Sequence, residues 1–348
     1  MTDESNDVLS RIEGNIGFAT LNRPKAINSL NQGMVDELAA LLTRWENDDT
    51  VHAVVLSGAG ERGLCAGGDV VAIYHSARKD GAEARRFWRD EYLLNAQIGS
   101  FPKPYVSLMD GIVMGGGVGV GAHANVRVVT DTSKVAMPEV GIGFIPDVGG
   151  AYLLSRAPGK LGLHAALTGA PFSGADAIAL GFADHYVPHD QLTAFTEAIV
   201  ADGVADAVAR YAIEPPPSEL SAQRHWIDKC YSGDTVEDIV AALRAHGGAA
   251  SGPPESAAEL IATRSPIALS VTLEAVRRAA HLETLEDVLV QDYRVASASL
   301  RSHDLVEGIR AQLVDKDRNP KWSPATLAAV SSADIDAYFA PADDDLSF

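Results

Sequence analysis

The chain has 348 residues, enough for one large domain with an appendage or for two domains. Its 28 Lys and Arg against 47 Asp and Glu leave a formal charge of −19, which argues against nucleic acid as a partner because phosphate backbones select basic surface. No apolar run reaches the roughly 18 residues that cross a bilayer, so no membrane span is expected. The acidic start Met1–Asp7 looks like neither a secretory signal nor an Arg-rich transit peptide, and the cytoplasm is the expected compartment.

In chain order, Asn15–Asn22 alternates Ile16, Phe18 and Thr20 with small or polar neighbours and reads as a strand. Met34, Leu38, Leu41, Leu42 and Trp45 share one helical face. Val51–Leu56 is a short apolar run of the kind that forms a buried strand, and helical spacing returns over Phe87–Ile98. Pro102 and Pro104 break the chain ahead of a strand at Tyr105–Met109; the glycine-rich stretch Gly115–Gly121 and a strand near Val126–Thr130 follow. Ser173 is placed to N-cap a helix that Gly181 stops.

This strand–helix alternation, up to about residue 205, sets an α/β class. Beyond it the strand signals vanish. Glu214–Pro217 and Gly247–Pro254 read as loops or linkers, Ser265 and Pro266 start a helix with Leu269, Leu273 and Val276 on one face, and Leu285, Val288, Leu289 and Tyr293 form another such face. Two regions are therefore expected: 1–205, carrying the active site, and 206–348, mainly helical. Cys65 and Cys230 lack disulfide or metal spacing and read as reduced thiols. His52, His75, His123, His164 and His185 show no ligand spacing, and no metal is expected.

Two glycine clusters stand out, Cys65-Ala-Gly-Gly-Asp69 and Met114-Gly-Gly-Gly-Val-Gly119, each after a strand. Glycine lets backbone N–H groups approach a ligand closely. Two such groups from separate loops can hold one developing oxyanion, and loss of one donor costs about 10²–10³ in rate. Close helix–strand packing is the plain alternative. Gly117–Ala122 also fits a G-x-G-x-x-A dinucleotide pattern, a weakly specific one that leaves the Ala66–Asp69 loop without a role.

Glu139 follows Met137-Pro138, and Asp147 lies eight residues further on, bracketed by glycine, proline and apolar residues. A carboxylate in such a setting is costly unless paired, and burial raises its pKa towards the range useful for acid–base work. The alternative is that Asp147 merely caps a helix starting near Gly149.

Together these residues resemble the crotonase (enoyl-CoA hydratase/isomerase) superfamily. Asn22-Arg-Pro24, Asn28-Ser-Leu30, Cys65–Asp69, Gly111–Gly119 and Pro138-Glu139 appear in that family's order and spacing. The resemblance implies a crotonase-like spiral of β-β-α repeats with an extended helical C-terminal region, and oxyanion donors at the N–H groups of Gly68 and Gly116. It implies a substrate in the form of an acyl-CoA, with no cofactor beyond the CoA it carries, and a homo-oligomer, trimer or dimer. Family hydratases carry a second glutamate three residues after the middle glycine, where this chain has Gly119.

The chain is similar instead to the 3-hydroxyisobutyryl-CoA hydrolases of valine degradation. That likeness rests on Asp90-Glu91-Tyr92, Lys103-Pro-Tyr105, Ala136-Met-Pro-Glu139, Phe144–Gly150, Asp315-Lys-Asp317 and Pro320-Lys-Trp322. It implies thioester hydrolysis with Glu139 as nucleophile or general base and Asp147 as proton shuttle. Glu91, Gly67, Asp69 and Gly115 are expected to line the acyl group, with a solvated helix-face glutamate as the alternative for Glu91. Arg23, Lys25 and Lys321, and more weakly Lys103, are the candidate cations for CoA. Trp322 either stacks on adenine or packs the C-terminal segment. Dienoyl-CoA isomerases of the same superfamily carry a Glu and an Asp at this spacing, so isomerisation or hydration stays open, as does a non-catalytic CoA-ester-binding role.

Overall fold

Nine strands organise the first part of the chain in the computed structural model, which describes residues 7–247, 252–342 and 344–348. They are β1 (Val8–Glu13), β2 (Ile16–Leu21), β3 (Ala53–Gly58), β4 (Tyr105–Met109), β5 (Ile112–Met114), β6 (Val126–Val129), β7 (Lys134–Ala136), β8 (Phe172–Ser173) and β9 (His185–Tyr186). The strand, helix and cap expectations are met closely. The helix read from Met34–Trp45 is Gln32–Glu46 (α1), and that read from Phe87–Ile98 is Ala82–Gly99 (α3), with Val70–Ala77 (α2) between them. Ser173 and Asp176 form a capping box on helix Gly174–Leu180, and Gly181 ends it in a left-handed conformation. Half of the linker expected at Gly247–Pro254, residues 248–251, lies outside the described residues, and helix Pro253–Ala262 takes its two prolines.

Contacts divide the chain into two units that are not continuous in sequence. One comprises the chain up to Gly68, Asp90–Ala136 and Phe172–Ser218; the other comprises Asp69–Arg89, Met137–Pro171 and the chain from Glu219. This partition differs from a single cut at 205/206. Its cause lies in the second unit, where helix Pro266–Ala279 packs on helices Gly150–Arg156 and Leu161–Thr168, drawing residues 137–171 to the helical tail.

In the first unit a six-stranded sheet runs β1-β2-β3-β4-β6-β9, with β1–β2 antiparallel and every later pair parallel. All five residues of β4 are buried, as expected where both faces of a parallel sheet are covered. The edge strand β1 exposes all but Val8 and carries Arg11 and Glu13, charges that discourage edge-to-edge pairing. Ile16, Phe18, Val55, Val106, Leu108 and Val128 form its core with Phe195 and Ile199. A second sheet, β5-β7-β8, carries the glycine-rich turn onward from β4.

The second unit is helical. Ile145, Ile267, Val271, Ala275, Val295 and Phe339 make one core cluster. Ser265 caps helix Pro266–Ala279 through Ala268 N–H and donates its hydroxyl to the buried Asp304 at 2.6 Å. After β9 the described residues hold only helices, turns and an isolated bridge from Tyr186 to Ile213.

Candidate active site

The Asn28-Ser-Leu30 motif builds the first glycine loop. Asn28 is fully buried at φ 54°, where asparagine is tolerated better than most residues. Its amide donates to the carbonyls of Ala59 and Gly63, both at 3.0 Å, and accepts from Arg23 N–H at 3.0 Å. Ala66 N–H then bonds Ile27 and Leu30 N–H bonds Gly67, at 2.9 and 2.8 Å. Gly67 sits at φ 106°, which only glycine adopts easily.

Strand β5 stitches to this loop through Met114 N–H to Cys65 O at 2.9 Å. Gly115 (φ 49°, ψ −119°) then turns the chain into a short helix, α4 (Gly116–Gly121). Tyr105 and Ser107 of β4 tie its far end by hydroxyl bonds to the carbonyls of Val120 and Gly121. A Cβ on Gly116 would stand 3.2 Å from Gly68 N and 2.5 Å from Glu91 Oε1. The backbones of Gly68 and Gly116 therefore lie close together, and a side chain at 116 would have to displace the Glu91 carboxylate. A Cβ on Gly117 would collide with the Cys65 carbonyl, so this glycine serves packing.

Glu91 is 2% exposed, which rules out a solvated helix face. Its carboxylate lies beside the Gly68 and Gly116 backbone, as the Cβ distance at Gly116 shows. Cys65 is also buried beneath this loop, and burial pushes its thiol up to about 12, a state unsuited to nucleophilic work. Gly119 lies buried inside α4, so no acid stands at that position.

In the second unit Glu139 opens a 3-10 turn, Glu139–Ile142, and is 7% exposed. Asp147 is 5% exposed. Its carbonyl accepts Gly150 N–H at 2.6 Å at the start of the next helix. Helix Gly150–Arg156 (α5) has Gly149 as its N-cap. Between them Val148 is held at φ 51°, an unfavourable conformation for a β-branched residue, costing about 1–3 kcal/mol.

One acid was missed by sequence reasoning. Asp292 is fully buried on helix Leu285–Ser299, and its Oδ2 accepts Gly149 N–H at 2.9 Å. Burial, with a smaller push from the Asp147 charge, raises its pKa well above the usual carboxylate value. The available signal was an aspartate on the apolar stripe of Val288, Leu289, Val295 and Ala296.

The remaining candidates have local partners. Asp69 caps α2 through Ala72 N–H at 3.3 Å. Arg23 donates to Ser29 O at 2.6 Å and pairs with Asp7 at 3.8 Å. Lys25 is exposed. Lys321 Nζ donates to Asn319 at 3.0 Å, in a segment pinned by Glu307 and by the Arg310 fork to Asp315 and Asp317. Lys103 is structural: its ammonium bonds the carbonyls of Trp45 and Asp48 at 2.6 and 2.7 Å, closing the end of α1. Trp322 donates to Thr263 O at 3.1 Å, which fits packing. Among the described residues no group of three or more His, Cys, Asp or Glu could hold a metal ion, and no helix is long and apolar enough to cross a membrane.

Comparison with known proteins gives two sets of names. The enoyl-CoA hydratase/isomerase family model matches residues 16–339. The mitochondrial 3-hydroxyisobutyryl-CoA hydrolase of Danio rerio is 39% identical over 349 residues, covering 97% of this chain and 90% of that protein. Its Homo sapiens counterpart is 38% identical, covering 97% and 89%. A crystal structure described as a carnitinyl-CoA dehydratase from Mycobacterium thermoresistibile matches with a TM-score of 0.95 at 73% identity, covering 98% of each chain. An enoyl-CoA hydratase structure from Rhodobacter sphaeroides 2.4.1 matches with a TM-score of 0.92 at 38% identity, covering 98% of this chain and all of that one.

Proposed function

The chain belongs to the enoyl-CoA hydratase/isomerase family, whose enzymes act on CoA esters, and on that premise we propose that it hydrolyses a short branched hydroxyacyl-CoA, 3-hydroxyisobutyryl-CoA by preference. The observation that carries this reading is Gly119, buried in α4 where water addition to a C=C bond uses a second glutamate. A buried Glu139 and Asp147 remain, and the backbones of Gly68 and Gly116 lie close together.

In the proposed reaction the thioester oxygen accepts from Gly68 and Gly116 N–H, donors that strengthen as the carbonyl becomes an oxyanion. Glu139 either attacks the carbonyl carbon or takes a proton from an attacking water. The C–S bond breaks as the oxyanion collapses, and CoA leaves as the thiol with a proton relayed by Asp147. If Glu139 attacks, water then cleaves the mixed anhydride and restores the carboxylate. Glu91 bonds the polar end of the acyl group, and Arg23, Lys25 and Lys321 serve CoA. No cofactor beyond the CoA of the substrate is proposed. The relatives' names place those proteins in mitochondria; cytoplasmic remains an expectation for this chain.

The 73% identical structure described as a dehydratase favours a second reading, elimination of water from a hydroxyacyl-CoA. Elimination leaves the thioester intact, so a thiol reagent separates the two. Thioester hydrolysis predicts stoichiometric free thiol from (S)-3-hydroxyisobutyryl-CoA and a loss of about 10² or more in kcat for Glu139→Gln. Near-normal turnover of that variant would remove Glu139 from the centre of the mechanism. A burst of thiol in the first turnover would favour the anhydride over direct water attack.

A further inference from the structure

Asp292 stands outside the roles assigned so far. It is fully buried, yet its partner is a single backbone N–H, that of Gly149. Its other oxygen, Oδ1, is buried with no hydrogen-bond partner among the described residues. That N–H belongs to the turn Asp147–Val148–Gly149, in which Val148 and Gly149 both have positive φ, 51° and 74°. A strained turn of this kind persists only where its surroundings over-determine it. Two of the bonds that hold it are Gly150 N–H to Asp147 O and Gly149 N–H to Asp292 Oδ2.

We propose that Asp292 is a positioning residue for Asp147: as a neutral acid it anchors the strained turn and thereby fixes where the Asp147 carboxylate stands. This rests on the reading of Asp147 as a participant in the reaction.

The charges around Asp292 agree with a neutral acid. Asp147 is the charged group that acts on it, and it repels. Among the described residues, several arginines of the neighbouring helices bond other groups. Arg89 serves Asp344, and Arg294, on the same helix, serves Asp345. Arg156 of α5 bonds the carbonyls of Ala279 and Leu282. From helix Pro266–Ala279, Arg277 bonds Gly233 and Asp234, while Arg278 bonds Glu274 of its own helix and Asp336 of helix Ser332–Tyr338. Asp334 of that last helix accepts from the Ser331 hydroxyl, and Glu286 and Asp287 occupy the first turn of the Asp292 helix. Burial without a cation leaves the protonated form as the stable one.

The test uses Asp292→Asn and Asp292→Ala in the full chain. Asparagine keeps a neutral acceptor for Gly149 N–H, so kcat near neutral pH stays within about threefold of the parent. Alanine leaves that N–H unmet and loosens the turn, so kcat falls by about 10-fold or more with KM little changed. An activity-independent readout is Tm against pH. A carboxyl whose folded pKa is raised contributes stability at low pH that is lost as pH climbs from the unfolded pKa, about 4, towards the folded one. The parent must therefore lose Tm relative to Asp292→Asn as pH rises above about 4.

Should the Asn variant fall as far in kcat as the Ala variant, or the Tm difference stay flat with pH, the proposal is overturned. If the Ala variant does not fold, the Asn variant and its Tm profile decide alone. A parent that releases no thiol but shows this Tm profile would sink the hydrolase reading and leave the proposal standing.

Discussion

The glycine loops of the first unit and the acid turns of the second are built on opposite principles. The loops carry the proposed chemistry in the backbone: Gly67 at φ 106°, Gly115 at φ 49° and a Gly116 whose Cβ would meet Glu91 Oε1 at 2.5 Å and Gly68 N at 3.2 Å. Side chains there would only obstruct. The acid turns carry the proposed catalytic side chains of Glu139 and Asp147, and the backbone is bent beside them, with Val148 at φ 51° next to Gly149, whose N–H Asp292 of helix Leu285–Ser299 accepts. One region is specified by what is absent and the other by what holds a residue in an unfavourable place.

Breaking the first principle has the largest expected effect. Gly116→Ala introduces a Cβ 2.5 Å from Glu91 Oε1, so kcat/KM drops by about 10²–10³ while far-UV circular dichroism keeps its native shape. Retained turnover in a folded Gly116→Ala protein would show that the donor does not act. A milder change probes the same region through Glu91. Glu91→Gln keeps the volume and removes the charge, and the preference for 3-hydroxyisobutyryl-CoA over isobutyryl-CoA then falls by about 10-fold. An unchanged ratio assigns Glu91 to loop architecture alone.

Two further variants sharpen the contrast from outside both regions. In the second unit, burial holds the His164 imidazole down at about 4, against an ordinary 6.5, with Nδ1 2.9 Å from the Tyr231 hydroxyl. The unfolded chain takes up the proton first, so stability is whole above pH 6.5 and declines as pH falls towards 4. His164→Phe flattens that decline, by up to about 3 kcal/mol across the window, in stability measured against pH. The smallest effect belongs to Lys103→Met in the first unit. It removes two carbonyl contacts at the end of α1, lowering stability by about 1 kcal/mol in urea titration and leaving kcat and KM as they were. A raised KM for CoA esters would return Lys103 to the CoA site.

Much of this was legible in the chain. The strands, the α1 and α3 helices, the Ser173–Gly181 cap pair and both glycine loops follow from periodicity and from glycine's conformational range. Glu139 and Asp147 are legible because apolar residues bracket them. Glu91 is harder, since a helical glutamate between Asp90 and Tyr92 gives no sign of its burial. The bonds of Lys103 to two main-chain carbonyls are hidden in the sequence, where it looks like any solvated lysine. Asp292 was invisible in its role, because its one hydrogen bond joins residues 143 positions apart. The discontinuous units were hidden for the same reason: which helices meet residues 137–171 is decided by packing across the chain.

The central claim is that the thioester is what breaks. The most direct measurement incubates the purified protein with (S)-3-hydroxyisobutyryl-CoA and with crotonyl-CoA, following free thiol and the enoyl absorbance side by side. The account predicts free thiol from the hydroxyacyl ester at a rate far above background, with little hydration of crotonyl-CoA. Rapid hydration of crotonyl-CoA with no thiol released from either ester would contradict it.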